Sequence, residues 1–162
     1  MALFVVDTSV LLSGYEPPPG RWWTTAQADA EVSPGGRDAR RYEDWKSKGL
    51  EIHAPASDAA ARVRSAAQAA GNLPRLSPAD LSLLALALEA SATLVTEDKT
   101  MLDVALRLKV ATFSRGGIEA TLDFRPRCVG CGRWFEVMPK AAECTVCGSE
   151  VKPKPWASKE KR

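Results

Sequence analysis

Histidine is nearly missing from this sequence: His53 is the single one in 162 residues. A His-based catalytic dyad or a His-rich metal cage would rest on that one side chain, which turns attention to carboxylates as the catalytic groups. No apolar run reaches the roughly 18 residues that a spanning helix needs. The opening MALFVVDTSV has no basic segment ahead of an apolar one, so a soluble, cytoplasmic chain with no membrane partner is expected. Aromatic residues make up only 7%, yet hydrophobic residues reach 45%, which excludes the disordered and fibrous classes. The length suits one core plus a small appendage that needs its own staple.

Charge and cysteine are distributed unevenly. Residues 1–124 carry 13 Lys or Arg against 16 Asp or Glu, whereas residues 125–162 carry 9 against 4. All four cysteines, Cys128, Cys131, Cys144 and Cys147, fall in the basic part. This predicts an α/β domain over 1–124, a cysteine module over 125–151 and a basic, flexible tail over 152–162, whose Pro- and Lys-rich composition lacks apolar periodicity.

Strand and helix signals alternate through the first part. Leu3 to Val6 is a continuous apolar run, the pattern of a strand buried on both faces. Helices are expected over Thr24–Val32, Gly36–Lys48 and Ser57–Gly71, with a weak strand at Glu51–Ala54. In SPADLSLLALALEA, Ser77 suits an N-cap, Pro78 suits the first helical position, and Leu81 to Leu88 are apolar almost all round, which predicts a buried helix. Thr93–Thr96 reads as a strand, Met101–Leu108 as a helix and Val110–Phe113 as a last strand. The alternation implies a central parallel sheet flanked by helices.

Two aspartates follow strands directly: Asp7 after Leu3–Val6 and Asp98 after Thr93–Thr96. Carboxyl ends of parallel strands border the ligand crevice of an open sheet. Asp80 lies three residues past the Ser77 cap, where helix N–H groups favour an ionised carboxylate. Asp103 follows Asp98 by about one and a half helical turns, and Glu31 ends a predicted helix. Each has an ordinary structural reading: Asp80 as a capping-box acid, Asp98 as a turn residue, Asp103 and Glu31 as solvated helix positions, Asp7 as an Asx turn. Together they form an acidic pocket that calls for cations. Hard oxygen ligands suit Mg²⁺ or Mn²⁺, which activate water and stabilise leaving oxygens in phosphodiester cleavage.

Cys128-x₂-Cys131 and Cys144-x₂-Cys147, separated by twelve residues and each followed by Gly, form two knuckles suited to a tetrahedral structural Zn²⁺. The RWFEVMPKAAE segment between them reads as strand, turn and strand, with too little apolar surface to fold without metal. Arg125, Arg127, Arg133, Lys140 and the tail lysines can grip phosphates, or serve only as a solvated segment. Trp134, Phe135, Trp22 and Trp23 are expected to pack in cores.

VVDTSVLLSGY, AEV at 30–32, LSPADLSLLALALE and LVTEDKTMLDVA resemble the four acidic motifs of the PIN-domain ribonucleases. Followed by RCVGCGR and CTVCGSEV, they resemble the archaeal form of the Nin-one-binding protein family. That resemblance implies an endonuclease that cuts single-stranded precursor RNA in the pre-ribosome at the 3′ end of small-subunit rRNA, leaving 3′-hydroxyl and 5′-phosphate ends. It aligns Asp7 with the first-strand acid, Glu31 with the second-motif acid, Asp80 with the central-helix acid and Asp98 with the second acid of a T-D-D stretch, read here Thr96-Glu97-Asp98. Asp103 falls where this family often carries Asn. A KH-domain assembly factor is the implied partner. A toxin-type PIN ribonuclease, which normally lacks a zinc ribbon, and a non-catalytic RNA-binding assembly factor are the rival readings.

Overall fold

A computed structural model of the chain describes residues 1–114, 117–119 and 123–156. The chain divides into two compact units, Met1–Thr121 and Leu122–Arg162.

The first unit is built on β1 (Leu3–Val6), β2 (Arg21–Thr25), β3 (Leu50–His53), β4 (Thr93–Val95), β5 (Thr112–Ser114) and β6 (Gly117–Glu119), in the sheet order β3-β2-β1-β4-β5-β6. The first five strands are parallel, and β6 runs antiparallel to β5. Helices α1 (Thr8–Leu12), α2 (Ala26–Ala30), α3 (Gly36–Ser47), α4 (Ser57–Ala69), α5 (Pro78–Glu89) and α6 (Lys99–Arg107) fill the crossovers. Successive side chains of β1 point to opposite faces of the sheet. Val5 packs with α4, α5 and α6, whereas Phe4 and Val6 join Leu11, Tyr42 and Trp45 on the other side. Central α5 buries Leu83, Leu84, Ala85, Leu86 and Ala87, which its all-round apolar sequence requires. The chain crosses from one side of β1 to the other between β3 and β4, so β1 and β4 flank the topological switch point, where open parallel sheets bind ligands.

The expected parallel sheet is present, with three local differences. Thr24 and Thr25 end a strand, RWWTT, rather than start a helix; Thr25 then caps α2, its hydroxyl accepting from Ala28 N at 3.3 Å. The β-branched and aromatic residues of that segment prefer the pleated sheet. Thr8–Leu12 forms a short helix, and β6 adds an antiparallel edge.

The second unit pairs β7 (Asp123–Cys128) with β8 (Val151–Trp156). Residues 152–156, expected in a flexible tail, are therefore strand; the remainder of that tail, 157–162, lies outside the described residues. Pro126 and Pro153 face each other in this two-stranded ribbon, where each strand has an open edge and a missing N–H is tolerated. Between the knuckles there are single bridges, Arg127 with Trp134 and Glu143 with Glu150, and a turn at Lys140–Ala142, in place of the strand pair expected from RWFEVMPKAAE.

Candidate active site and metal centre

Three helices begin where three of the predicted acids sit. Asp7 is the N-cap of α1: its Oδ1 accepts from Ser9 N at 3.2 Å. Asp98 is the N-cap of α6, with Oδ1 accepting from Thr100 N at 2.7 Å and Met101 N at 3.2 Å. Asp80 closes a capping box with Ser77 at the start of α5, accepting from Ser77 N at 2.8 Å while Ser77 Oγ accepts from Asp80 N at 3.1 Å. Each carboxylate is thus fixed by free N–H groups at the positive end of a helix. The capping-box geometry expected of Asp80 is present, Asp7 closes the Asx turn expected of it, and Asp98, expected as a turn residue, is a helix N-cap.

Burial raises the Asp80 carboxyl above its ordinary range, and the charges of Asp7 and Asp98 push it in the same direction. Asp7 and Asp98 are thus near enough for their charges to be felt at Asp80. None of the ion pairs among the described residues involves Asp7, Asp80 or Asp98. Hard carboxylate oxygens of this kind are donors that could hold a divalent cation. The carboxylates stand further apart than the cysteine sulfurs: among the described residues only the cysteines bring three or more ligand atoms within 4.8 Å of one another.

Thr96, which the sequence singles out only as part of its motif, is the link between two of the acids. Fully buried, its hydroxyl donates to Asp7 Oδ2 at 3.0 Å and accepts from Asp98 N at 3.1 Å. Thr8 is buried beside Asp7 and Ser9 is exposed.

Glu31 and Asp103 are placed differently. Glu31 is exposed at the C-cap of α2 and lines an open depression of about 520 Å³ with Leu12, Ser33 and Arg37. Asp29, the other acid of that segment, is taken up by Lys46 at 3.1 Å. Asp103 has partners of its own, accepting from Asn72 Nδ2 at 2.6 Å and pairing with Arg107 at 3.5 Å.

The residues from 4 to 90 match the family model described as the PIN domain of ribonuclease. An endoribonuclease Nob1 from Pyrococcus abyssi is 36% identical over 91% of this chain and 91% of its own length. The chain belongs to the Nob1 family of PIN-domain endoribonucleases. A second Nob1 endoribonuclease, from Methanothermobacter thermautotrophicus, is 30% identical over 91% of this chain and 90% of its own. Ribonuclease VapC1 from Thermoplasma acidophilum is 29% identical over 93% of this chain and 77% of its own.

This Nob1-type chain also carries a four-cysteine cluster in its second unit. Cys128 Sγ lies 3.4 Å from Cys147 Sγ, and Cys131 Sγ lies 3.7 Å from Cys144 Sγ. A tetrahedral ion with bonds of roughly 2.3 Å to sulfur separates its ligands by about 3.8 Å, so the quartet is sized for one metal ion, and none of its members forms a disulfide. The knuckles turn backbone donors onto sulfur: Gly130 N and Cys131 N donate to Cys128 Sγ at 3.3 and 3.4 Å, and Val146 N to Cys144 Sγ at 3.4 Å. Backbone N–H groups of Cys147 and Val146 hold the Cys144 thiol below its ordinary value, favouring the thiolate. Gly132 and Gly148 adopt φ of 75° just after each knuckle, where other residues are strained. Phe135 packs against the cluster, and Trp134 lies under the Arg127 guanidinium, 5.1 Å from its ring centroid.

Arg125 and Arg127 alternate along β7 opposite Lys154 and Lys152, so four exposed cations share one face of the ribbon. Arg133 and Lys140 are exposed on the segment between the knuckles. Among the described residues no helix is long and apolar enough to cross a membrane.

Proposed function

We propose that this chain cleaves single-stranded precursor RNA at the 3′ end of small-subunit rRNA during ribosome assembly in the cytoplasm. What supports this is that Asp7 and Asp98 follow the neighbouring parallel strands β1 and β4 and their charges are felt at Asp80, in a chain matched to Nob1 endoribonucleases over nine-tenths of its length. In this reading Asp7, Asp80 and Asp98 hold Mg²⁺ or Mn²⁺, while Glu31, and Asp103 if released by Asn72 and Arg107, complete the shell or orient water. An ion held there would lower the pKa of water and stabilise the departing oxygen. Thr96 keeps Asp7 and Asp98 in register.

Cys128, Cys131, Cys144 and Cys147 hold Zn²⁺, which folds the second unit. The cationic face of Arg125, Arg127, Lys152 and Lys154, with Arg133 and Lys140, contacts phosphates without reading sequence. Selection of the cleavage site then falls to the pre-ribosome or to a KH-domain assembly factor. A second reading, a toxin-type ribonuclease acting on transfer or messenger RNA, is favoured by the extent of the VapC1 match.

The test is cleavage of an RNA spanning the precursor junction, beside transfer RNA, with Mn²⁺ or Mg²⁺ and with the Asp7→Asn variant. Junction cutting lost in Asp7→Asn supports the proposal. Preferential cutting of transfer RNA supports the second reading, and no cutting of either RNA removes both.

A further inference from the structure

Two adjacent tryptophans of β2 are treated differently by the fold. Trp22 sends its indole N–H to Pro18 O at 2.9 Å and meets Trp45 edge-on. Trp23, on the opposite face, has a buried Nε1 that meets no acceptor among the described residues. Buried indole N–H groups ordinarily find a partner, which sets Trp23 apart from its neighbour.

Trp23 is stacked by His53, with ring centroids 3.8 Å apart and planes 25° apart. His53 is held by Glu51 Oε2 at 3.0 Å, Glu51 by Arg21 at 3.2 Å, and the Arg21 guanidinium lies 5.4 Å from the Trp23 ring. Residues 21 and 23 of β2 and 51 and 53 of edge strand β3 thus make one aromatic and charged surface. Beside it opens a cavity of about 340 Å³ lined by Trp23, His53, Ala54, Leu86, Glu89 and Ala90. The cavity has aromatic and apolar walls with a carboxylate at Glu89, whose Oε2 accepts from Ala56 N at 2.7 Å. Its volume lies at the low end of the roughly 300–1,000 Å³ usual for ligand sites.

Flat rings and a carboxylate acceptor suit a planar molecule whose edge carries N–H donors. We propose that this cavity binds a nucleobase, stacked against the Trp23 and His53 pair and hydrogen-bonded at its edge. The inference rests on the ribonuclease reading, which supplies unpaired RNA bases, and the same chemistry fits the base of a free nucleotide. Base stacking on aromatic side chains tolerates any sequence, so the site anchors a strand and leaves the choice of cut to other elements.

Because His53 is the chain's single histidine, its ring C–H resonances report on this site without assignment of other signals. The experiment titrates the zinc-loaded full chain carrying Asp7→Asn, which keeps RNA intact, with a short single-stranded RNA and separately with adenosine monophosphate. A saturable upfield shift of the His53 signal with RNA, weakened about tenfold in affinity by Leu86→Gln and in overall RNA binding by His53→Ala but not by His53→Phe, supports a strand-anchoring site. A shift with the mononucleotide alone supports base recognition and assigns the source as a free nucleotide. A His53 signal unmoved by either ligand overturns the site. Junction RNA cleavage by the wild-type chain, assayed in parallel, tells that failure apart from failure of the ribonuclease reading.

Discussion

Thr96 reaches Asp7 across 89 positions of sequence, donating its hydroxyl to Oδ2 at 3.0 Å. The contact exists because β4 lies parallel beside β1, with Val95 in register with Val6 and Asp7 N donating to Val95 O at 3.0 Å. Sheet pairing therefore sets the geometry of the acidic site.

Thr96→Val should leave Asp7 Oδ2 without this donor and Asp98 N without its acceptor, at a cost of about 1–3 kcal/mol in unfolding free energy. Cleavage should fall as well, and Thr96→Ser should restore most of both. Denaturant unfolding and initial cleavage rates on the three proteins measure this; unaltered cleavage by the valine variant would remove Thr96 from the site.

Asp80 gives a pH dependence of known sign. Burial, with help from Asp7 and Asp98, raises its carboxyl in the folded state. The folded chain keeps a proton that the unfolded chain has released, so its stabilising contribution is intact below the ordinary carboxylate range and is lost as pH rises through the folded-state value. Without divalent ions the wild type should lose stability relative to Asp80→Asn across that window, and Mg²⁺ or Mn²⁺ should narrow the gap at neutral pH. Unfolding curves taken as a function of pH, with and without the ion, test both parts.

Asp103 is tied to Asn72 and Arg107. Asp103→Asn should therefore lower stability measurably and reduce cleavage far less than Asp7→Asn does. Equal losses of cleavage in the two variants would show that Asp103 leaves its partners to join the acidic trio during turnover.

Stripping zinc, or replacing Cys128 with Ser, should abolish the fold of the second unit, whose described buried residues number little more than Cys128, Cys144 and Val151. The first unit, with its own two-sided core, should keep its melting transition. Thermal unfolding with and without a chelator, together with a zinc content of one ion per chain, checks this; a joint shift of both transitions would contradict it.

Local signals were legible where local chemistry decided the structure. Ser77, Pro78 and Asp80 announced the start of α5, the apolar run through Leu88 announced its burial, and Leu3–Val6 announced a central strand. Reading failed where distant pairing decided. Arg21–Thr25 is a strand because β1 and β3 flank it, and the threonines that suggested a helix serve as its end and as the next helix's cap. Lys152–Trp156 looked like a tail because its prolines and lysines mask a strand that only β7 completes. Asp7, Asp80 and Asp98 could be named from their positions after strands and caps, whereas the role of Thr96 depends on a neighbour 89 residues away.

The most direct measurement is Mn²⁺ binding to the zinc-loaded chain, followed by electron paramagnetic resonance or calorimetry. The wild type should bind Mn²⁺ saturably, and Asp7→Asn, Asp80→Asn and Asp98→Asn should each weaken that binding sharply while the zinc content stays constant. Mn²⁺ affinity unchanged in all three variants would contradict a shared cation among these carboxylates.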